Sequence, residues 1–302
     1  MKVYTNEAEF HIEDKTVVSI GKFDGVHYGH QEIFNEMRKI SEETGYKIAV
    51  FTFCFFSDPQ LSTINEKRTM LEAEGVDYLI EYTFSDKLRT TSGEDFISDI
   101  LINKLNMGYI VAGDDCSFGY RKSGNAALLR KLSDKYGYQV KILNKIQLDD
   151  SDISSSLIRS LISSGDVGKV YDLKGSYYSI TGQVRRGKCL GRAISFPTAN
   201  IIPDSGKILP KPGVYATRTL LSGVYHDSMT NIGTNPTVED NSIIKCETHI
   251  FNLDRELYNT LITIEFIQYI REEQKFDTID CLISQLKKDK IRSLQILSEC
   301  RK

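Results

Sequence analysis

Two histidines three residues apart, His27 and His30, stand inside GKFDGVHYGH, residues 21–30, and account for two of the five histidines in a chain of 302 residues. Imidazoles at that spacing project from one side of a helix's first turn, where both can donate to the same phosphate oxygens. Gly21, Gly25 and Gly29 admit a ligand to backbone that any Cβ would shield. A second group lies in RRGKCLGRAISFPTANI, residues 185–201. There Gly187 and Gly191, flanked by Arg186, Lys188 and Arg192, form a flexible basic loop suited to phosphate. Thr198 and Asn200, two apart in an extended segment, point the same way and offer neutral oxygens to a hard cation, so the pair can hold magnesium on a polyphosphate. Asp115, in GDDCSFGYRKSGN (113–125), can meet a ribose hydroxyl or a bound magnesium, with Arg121 and Lys122 within reach of phosphate. In ISSSLIRSL (153–161), Ser154 or Ser155 can cap a helix, and Arg159, one turn further in, can hold a leaving pyrophosphate.

These residues need a frame. The β-branched run of Val17, Val18 and Ile20 feeds the first glycine turn, and an amphipathic helix beginning at Gln31 leaves it, with Ile33, Phe34, Met37 and Ile40 on one face. The turn therefore lies at a helix N-terminus, where unpaired N–H groups and the positive dipole end favour an anion. No Lys-Ser/Thr follows the last glycine and the glycines are not spaced G-x-G-x-x-G, which argues against a P-loop kinase and a nicotinamide dehydrogenase. Downstream, strands at 47–53, 77–82, 109–112 and 138–143 alternate with helices at 66–74, from Ser92 to Leu105, and at 125–136. That alternation predicts a doubly wound parallel sheet, with ligands at the carboxyl ends of its strands.

From Tyr178 the helical period stops. Strand-like runs at 179–185, 214–221, 225–232, 243–253 and 261–270, with a Ser222-Gly223 hairpin signal, precede one last helix from Asp277 to about Leu297. They predict a small antiparallel β-barrel with a terminal helix packed on it through Ile279, Leu282, Ile283, Leu286, Leu294 and Leu297. On the run 243–253, Ile244, Cys246, Thr248 and Ile250 share one face, leaving Lys245, Glu247 and His249 on the other. A lone strand glutamate such as Glu247 reads by default as a solvated edge residue. The expected domains are 1–175 and 176–302.

A formal net charge of -3 gives no global attraction to polyanions, so nucleic acid is not the expected partner. The six cysteines are scattered without a C-x-x-C pair, as in reduced cytosolic proteins. The first ten residues lack an apolar signal core, and the longest apolar run, 48–56, is too short to span a bilayer, so a cytoplasmic protein is expected.

The string G-x-F-D-G-V-H-x-G-H resembles the first signature of nucleotidyltransferases with an HxGH motif, most closely that of the bacterial bifunctional riboflavin kinase/FAD synthetase family. The likeness runs on in order through a G-x-[DN]-F-x-F-G loop at 113–119, I-S-S-[ST]-x-I-R at 153–159, F-P-T-A-N at 196–200, P-G-V-Y-A at 212–216, N-I-G-x-x-P-T at 231–237 and E-x-H-I at 247–250, nearly the whole chain. It implies an N-terminal Rossmann-like α/β domain of the HxGH type that transfers AMP from ATP to FMN, and a C-terminal all-β barrel that phosphorylates riboflavin. The roles it implies are phosphate stabilisation for His27, His30 and Arg159, and nucleotide contacts for Gly21, Phe23, Asp24, Gly25, Gly29, Asp115, Ser155, Ser156, Gly187 and Lys188. Arg271 would meet the flavin, and Thr198 and Asn200 the metal. Glu247 becomes the base that takes the proton from the 5′-hydroxyl of riboflavin as it attacks the γ-phosphate of ATP. Mg2+ is implied at both sites, with ATP, riboflavin and FMN as substrates.

The chain also departs from the family pattern. Lys22 stands where asparagine is usual, Cys116 where phenylalanine is, and Ser195 and Asn259 where glycine is. TFCFFSDP, at 52–59, lacks the histidine of a T-F-x-P-H-P motif, and Asp58 cannot donate to a phosphate in its place. Two alternatives follow: a riboflavin kinase whose first domain is weak or inactive in adenylyl transfer, and a flavin-responsive regulator without catalysis.

Overall fold

Val17 and Val18 are neighbours in one strand and both are fully buried, which requires cover on both faces of their sheet. The computed structural model describes residues 1–5, 10–53, 59–82, 90–149, 151–187, 191, 194–234 and 244–300, and the chain divides into two compact units, Met1–Ser155 and Ser156–Lys302.

In the first unit six strands run parallel: β1 (Lys2–Thr5), β2 (Thr16–Gly21), β3 (Lys47–Phe53), β4 (Tyr78–Tyr82), β5 (Met107–Gly113) and β6 (Gln139–Leu143). Their order across the sheet is β1-β4-β3-β2-β5-β6. The strand order therefore reverses between β2 and β5, and a doubly wound sheet opens its ligand crevice outside the carboxyl ends at such a reversal. The segments leaving β2 and β5 there are the glycine turn and the Asp115 loop. On one face α1 (Tyr28–Thr44) and α2 (Ile64–Ala73) bury Phe34, Met37, Ile40 and Leu71 against Val17, Val50 and Leu79. On the other, the helical residues 93–102 and α3 (Ala126–Tyr136) bury Phe96, Leu101, Leu129 and Leu132 against Val18, Phe51 and Ile110. The α/β expectation holds; the edge strand β1 went unread because four residues of half-exposed strand carry too little period.

The second unit opens with the rest of α4 (Ser155–Ser164) and two short helical pieces, then closes a six-stranded antiparallel barrel. Its strands are β7 (Tyr178–Arg185), β8 (Ala199–Ile201), β9 (Gly213–Leu221), β10 (Val224–Thr234), β11 (Ile244–Ile250) and β12 (Leu261–Arg271), in the order β7-β8-β11-β10-β9-β12. Between β9 and β10, Ser222 and Gly223 both have positive φ, 50° and 82°, the requirement of a tight hairpin turn that matches strand twist. Part of the barrel interior is polar. Thr217, Thr219, Ser228, Thr230 and Thr248 are completely buried and bond hydroxyl to hydroxyl at 2.8–2.9 Å across three strands.

The terminal helix α5 (Ile279–Glu299) packs on the barrel through part of the expected stripe, Leu286 and Leu297, with Leu282 and Ile283 half-buried. Ile279 and Leu294 are exposed, and the buried positions are Asp289, Ser293, Ile296 and Leu297, with Leu286 half-buried. The buried Asp289 carboxylate is paired with the Arg271 guanidinium at the end of β12.

Candidate functional site

β2 ends at Gly21 and α1 starts at Tyr28 rather than Gln31, so Gly29 and His30 belong to the first helical turn. His27 is the N-cap residue, yet its side chain makes no capping hydrogen bond; its ring lies against that of His30 instead, with centroids 3.8 Å apart and planes 19° off parallel. Gly29 permits this, because a Cβ there would stand 3.2 Å from the His27 ring. Behind the pair, the buried ring of Phe23 contacts His30 and Phe34. Burial first, then the nearby charges of His27 and Lys67, holds His30 well below the usual imidazole range, so it is neutral at pH 7. Its Nδ1 is buried with no hydrogen-bond partner among the described residues.

The turn is pinned from two sides. The buried Asp24 carboxylate accepts from the backbone N–H of Leu61 and Ser62 at 3.1 and 3.0 Å, and Gly25, at φ 84°, leaves room for Leu61, whose Cδ1 would lie 2.7 Å from a Cβ. From the last residue of the first unit, Ser155 Oγ donates to the Asp24 carbonyl at 2.9 Å. Phe23 and Asp24 thus pack and anchor the turn. Ser156 is exposed, and Arg159 is half-buried one turn further along α4. Asp115 is exposed and pairs with Lys145 at 3.3 Å, which also pairs with Asp152. Arg121 and Lys122 are exposed in left-handed backbone, φ 50° and 59°. Residues 54–58, where the family's histidine is missing, lie outside the described residues. One residue passed over in the sequence is Lys67, 3 % exposed on α2; its signal was a lysine one turn ahead of Leu71 on the apolar face.

In the second unit a cleft of about 920 Å³ opens between Gly187, Gly191 and residues 197–200 on one side and residues 252–258 on the other, with Lys290 of α5 at its wall. Gly187, Thr198 and Asn200 line it, as do Thr248 and His249 of β11. Thr198 and Asn200 are on the accessible side while Ala199 between them is buried, as the alternation predicts. The Asn200 amide lies close against Gly187, where a Cβ would come within 2.6 Å of it. His249 holds this segment in place: its buried ring packs on Phe196, and Nδ1 donates to the Pro197 carbonyl at 2.8 Å. Burial lowers the His249 pKa against the opposing effect of that bond.

Glu247 pairs in register with Asn200 on one side and Asn231 on the other. Its carboxylate therefore stands in a polar row, beside the cleft rather than among its lining residues. Cys246, Thr248 and Ile250 face the barrel interior, as expected. Arg271 is engaged: Nε and Nη2 donate to Asp289 at 3.0 and 2.7 Å, and Nη1 to the Glu272 carbonyl at 2.8 Å. Lys188 and Arg192 lie outside the described residues. Among the described residues no group of three or more His, Cys, Asp or Glu could hold a metal ion, so a metal here would be held by neutral oxygens and by the ligand's own charge.

Known proteins share both halves. The FAD synthetase family model matches residues 9–157 and the riboflavin kinase family model residues 174–297. Bifunctional riboflavin kinase/FMN adenylyltransferases from Bacillus subtilis and Listeria monocytogenes are 34% and 33% identical to this chain. The first alignment covers 95% of this chain and 94% of the relative, the second 90% of each. A solved Streptococcus pneumoniae structure, described as a macrolide-efflux protein, is 28% identical and superposes with a TM-score of 0.87 over 96% of this chain and 98% of that one. Among the described residues no helix is long and apolar enough to cross a membrane. With ordered motifs, both family models and full-length relatives in agreement, the chain belongs to the bifunctional riboflavin kinase/FMN adenylyltransferase family.

Proposed function

We propose that the chain makes FAD in two steps, phosphorylating riboflavin in residues 176–302 and adenylylating FMN in residues 1–175. The observation that carries the kinase half is the register row in which Glu247 stands next to Asn200 at the edge of the cleft. Glu247 takes the proton of the riboflavin 5′-hydroxyl while that oxygen attacks the γ-phosphorus of ATP and ADP leaves. Thr198 and Asn200 fit Mg2+ by donor chemistry, two neutral oxygens beside a glycine that leaves room for phosphate. Mg2+ bound there would neutralise phosphate charge. Arg271, fixed by Asp289, is assigned to the flavin.

In the adenylyl step an FMN phosphate oxygen attacks the α-phosphorus of ATP and pyrophosphate leaves. The attacking oxygen is already anionic, so no base is required. What the site supplies is charge stabilisation by the His27 and His30 N–H groups, by amides of the turn from Gly21 to Gly25, and by Ser155, Ser156 and Arg159. Asp115 takes the ribose. Chromatography after incubation with riboflavin or FMN, each with ATP and Mg2+, tests this: FMN and FAD are expected from the first and FAD from the second, and EDTA should abolish both products. FMN without FAD would overturn the adenylyl assignment, and neither product would overturn both.

A further inference from the structure

The strand registers of the barrel set one continuous row across neighbouring strands: Asn200 on β8, Glu247 on β11, Asn231 on β10, Val214 on β9 and Arg271 on β12. Directly opposed residues on adjacent strands share a face and lie roughly 5 Å apart at Cβ. Glu247 is therefore flanked by Asn200 on one side and by Asn231 on the other, the side that leads to Arg271. Glu273 reaches into this row from the segment that follows β12. Its carboxylate accepts from Asn231 Nδ2 at 2.8 Å and rests against Gly233, the next residue but one along β10, where any Cβ would collide with it. The backbone that carries it is fixed at Arg271, which donates to Asp289 and to the Glu272 carbonyl. Glu273 is exposed, so its bond to Asn231 adds little to folding, since both groups would bond water in its absence. What the contact does is hold a carboxylate and an amide side by side on the row, next to Glu247.

Riboflavin joins its ring to the reacting 5′-hydroxyl through a chain of secondary hydroxyls. With the 5′-oxygen at Glu247 and the ring at Arg271, that chain has to cross Asn231 and Val214. Each hydroxyl taken out of water on the way needs a partner, or its desolvation opposes binding. A carboxylate accepts from adjacent hydroxyls, and an amide both donates and accepts. On the kinase reading of the second unit, on which this rests, we propose that Glu273 and Asn231 bind the secondary hydroxyls of the ribityl chain and make the kinase specific for a polyhydroxylated side chain rather than for the flavin ring alone. Gly233 leaves the space in which the Glu273 carboxylate is held for that purpose.

The test compares riboflavin with a flavin carrying a 5-hydroxypentyl chain at N10, which keeps the ring and the terminal hydroxyl and lacks the secondary ones. Initial rates of phosphorylation are measured on the full-length protein. Wild type should favour riboflavin in kcat/KM by about 100-fold, as expected where a hydrogen bond to a charged group is lost. Glu273→Ala should lower kcat/KM for riboflavin by about 30-fold, with that for the hydroxypentyl flavin and the KM for ATP unchanged. Gly233→Ala, whose Cβ evicts the carboxylate, should reproduce this selective loss. Glu273→Gln keeps an acceptor oxygen and should stay within about tenfold of wild type. A wild type that phosphorylates both flavins equally well overturns the proposal without any variant having to fold. So does an equal loss with both flavins in Glu273→Ala, or a wild-type preference in Gly233→Ala, and each of these outcomes leaves the kinase reading intact. A wild type that forms no FMN from riboflavin overturns both.

Discussion

His30 carries the most informative single charge in the first unit. Burial and its cationic neighbours keep its folded pKa well below the unfolded value of about 6.5. Above that pH the group contributes nothing to the pH dependence of stability. Below it the unfolded chain binds a proton that the folded chain refuses, so stability falls as pH drops toward the folded pKa. An anion against the ring reverses the shift. Pyrophosphate binding at pH 6 should therefore take up protons, detectable by calorimetry in two buffers of different ionisation enthalpy; zero uptake would mean that the anion does not touch the imidazole. Ser195 and Asn259 stand where the family has glycine, and both adopt left-handed backbone, φ 60° and 62°. Asparagine tolerates that conformation through its short amide, whereas serine is strained by about 1–2 kcal/mol. After the extra chain entropy of glycine is subtracted, Ser195→Gly should stabilise the second unit by about 0.5–1 kcal/mol, read from the denaturant midpoint.

At the level of elements, long periodic segments were legible and short or polar-driven ones were not. Strand β3 and the buried positions Phe34, Met37 and Ile40 of α1 follow directly from their periods. So did the Ser92 cap, which accepts from the Asp95 N–H at 3.1 Å. β8 read only as an extended piece, because three residues cannot establish an alternation. For α5 the reading found Leu286 and Leu297 but not the buried Asp289 and Ser293, because an apolar stripe alone was assumed to choose the face. Asp289 is 2 % exposed and held by both Arg271 and Gln285. Removing one partner of such a pair leaves the other charge buried and uncompensated. Asp289→Ala should cost about 3 kcal/mol in urea unfolding and raise the KM for riboflavin more than that for ATP. Of the candidate sites, residue types and order were legible in the sequence. The stacking of His27 on His30, the anchoring role of Asp24 and the clamp from His249 to Pro197 were not, since each depends on tertiary contacts that no spacing encodes.

For the molecule, two chemistries on two units predict separable defects. Glu247→Gln should abolish FMN production while adenylylation of supplied FMN continues at the wild-type rate, because only the kinase step needs a proton removed. His30→Ala should do the reverse, lowering FAD formation about 100-fold with FMN accumulating from riboflavin. Product analysis of each variant with each substrate checks both, and an equal loss of both activities in either variant would refute independent sites.

The buried hydroxyl ladder of Thr217, Thr219, Ser228, Thr230 and Thr248 has a thermal consequence. Exposing hydrocarbon to water raises heat capacity and exposing polar groups lowers it, so melting the barrel should show a smaller increment per residue than melting the first unit, whose interior is valine, isoleucine, leucine and phenylalanine. The barrel's stability curve is correspondingly flatter, and in scanning calorimetry its transition should be the one whose enthalpy changes least when its midpoint is moved by pH.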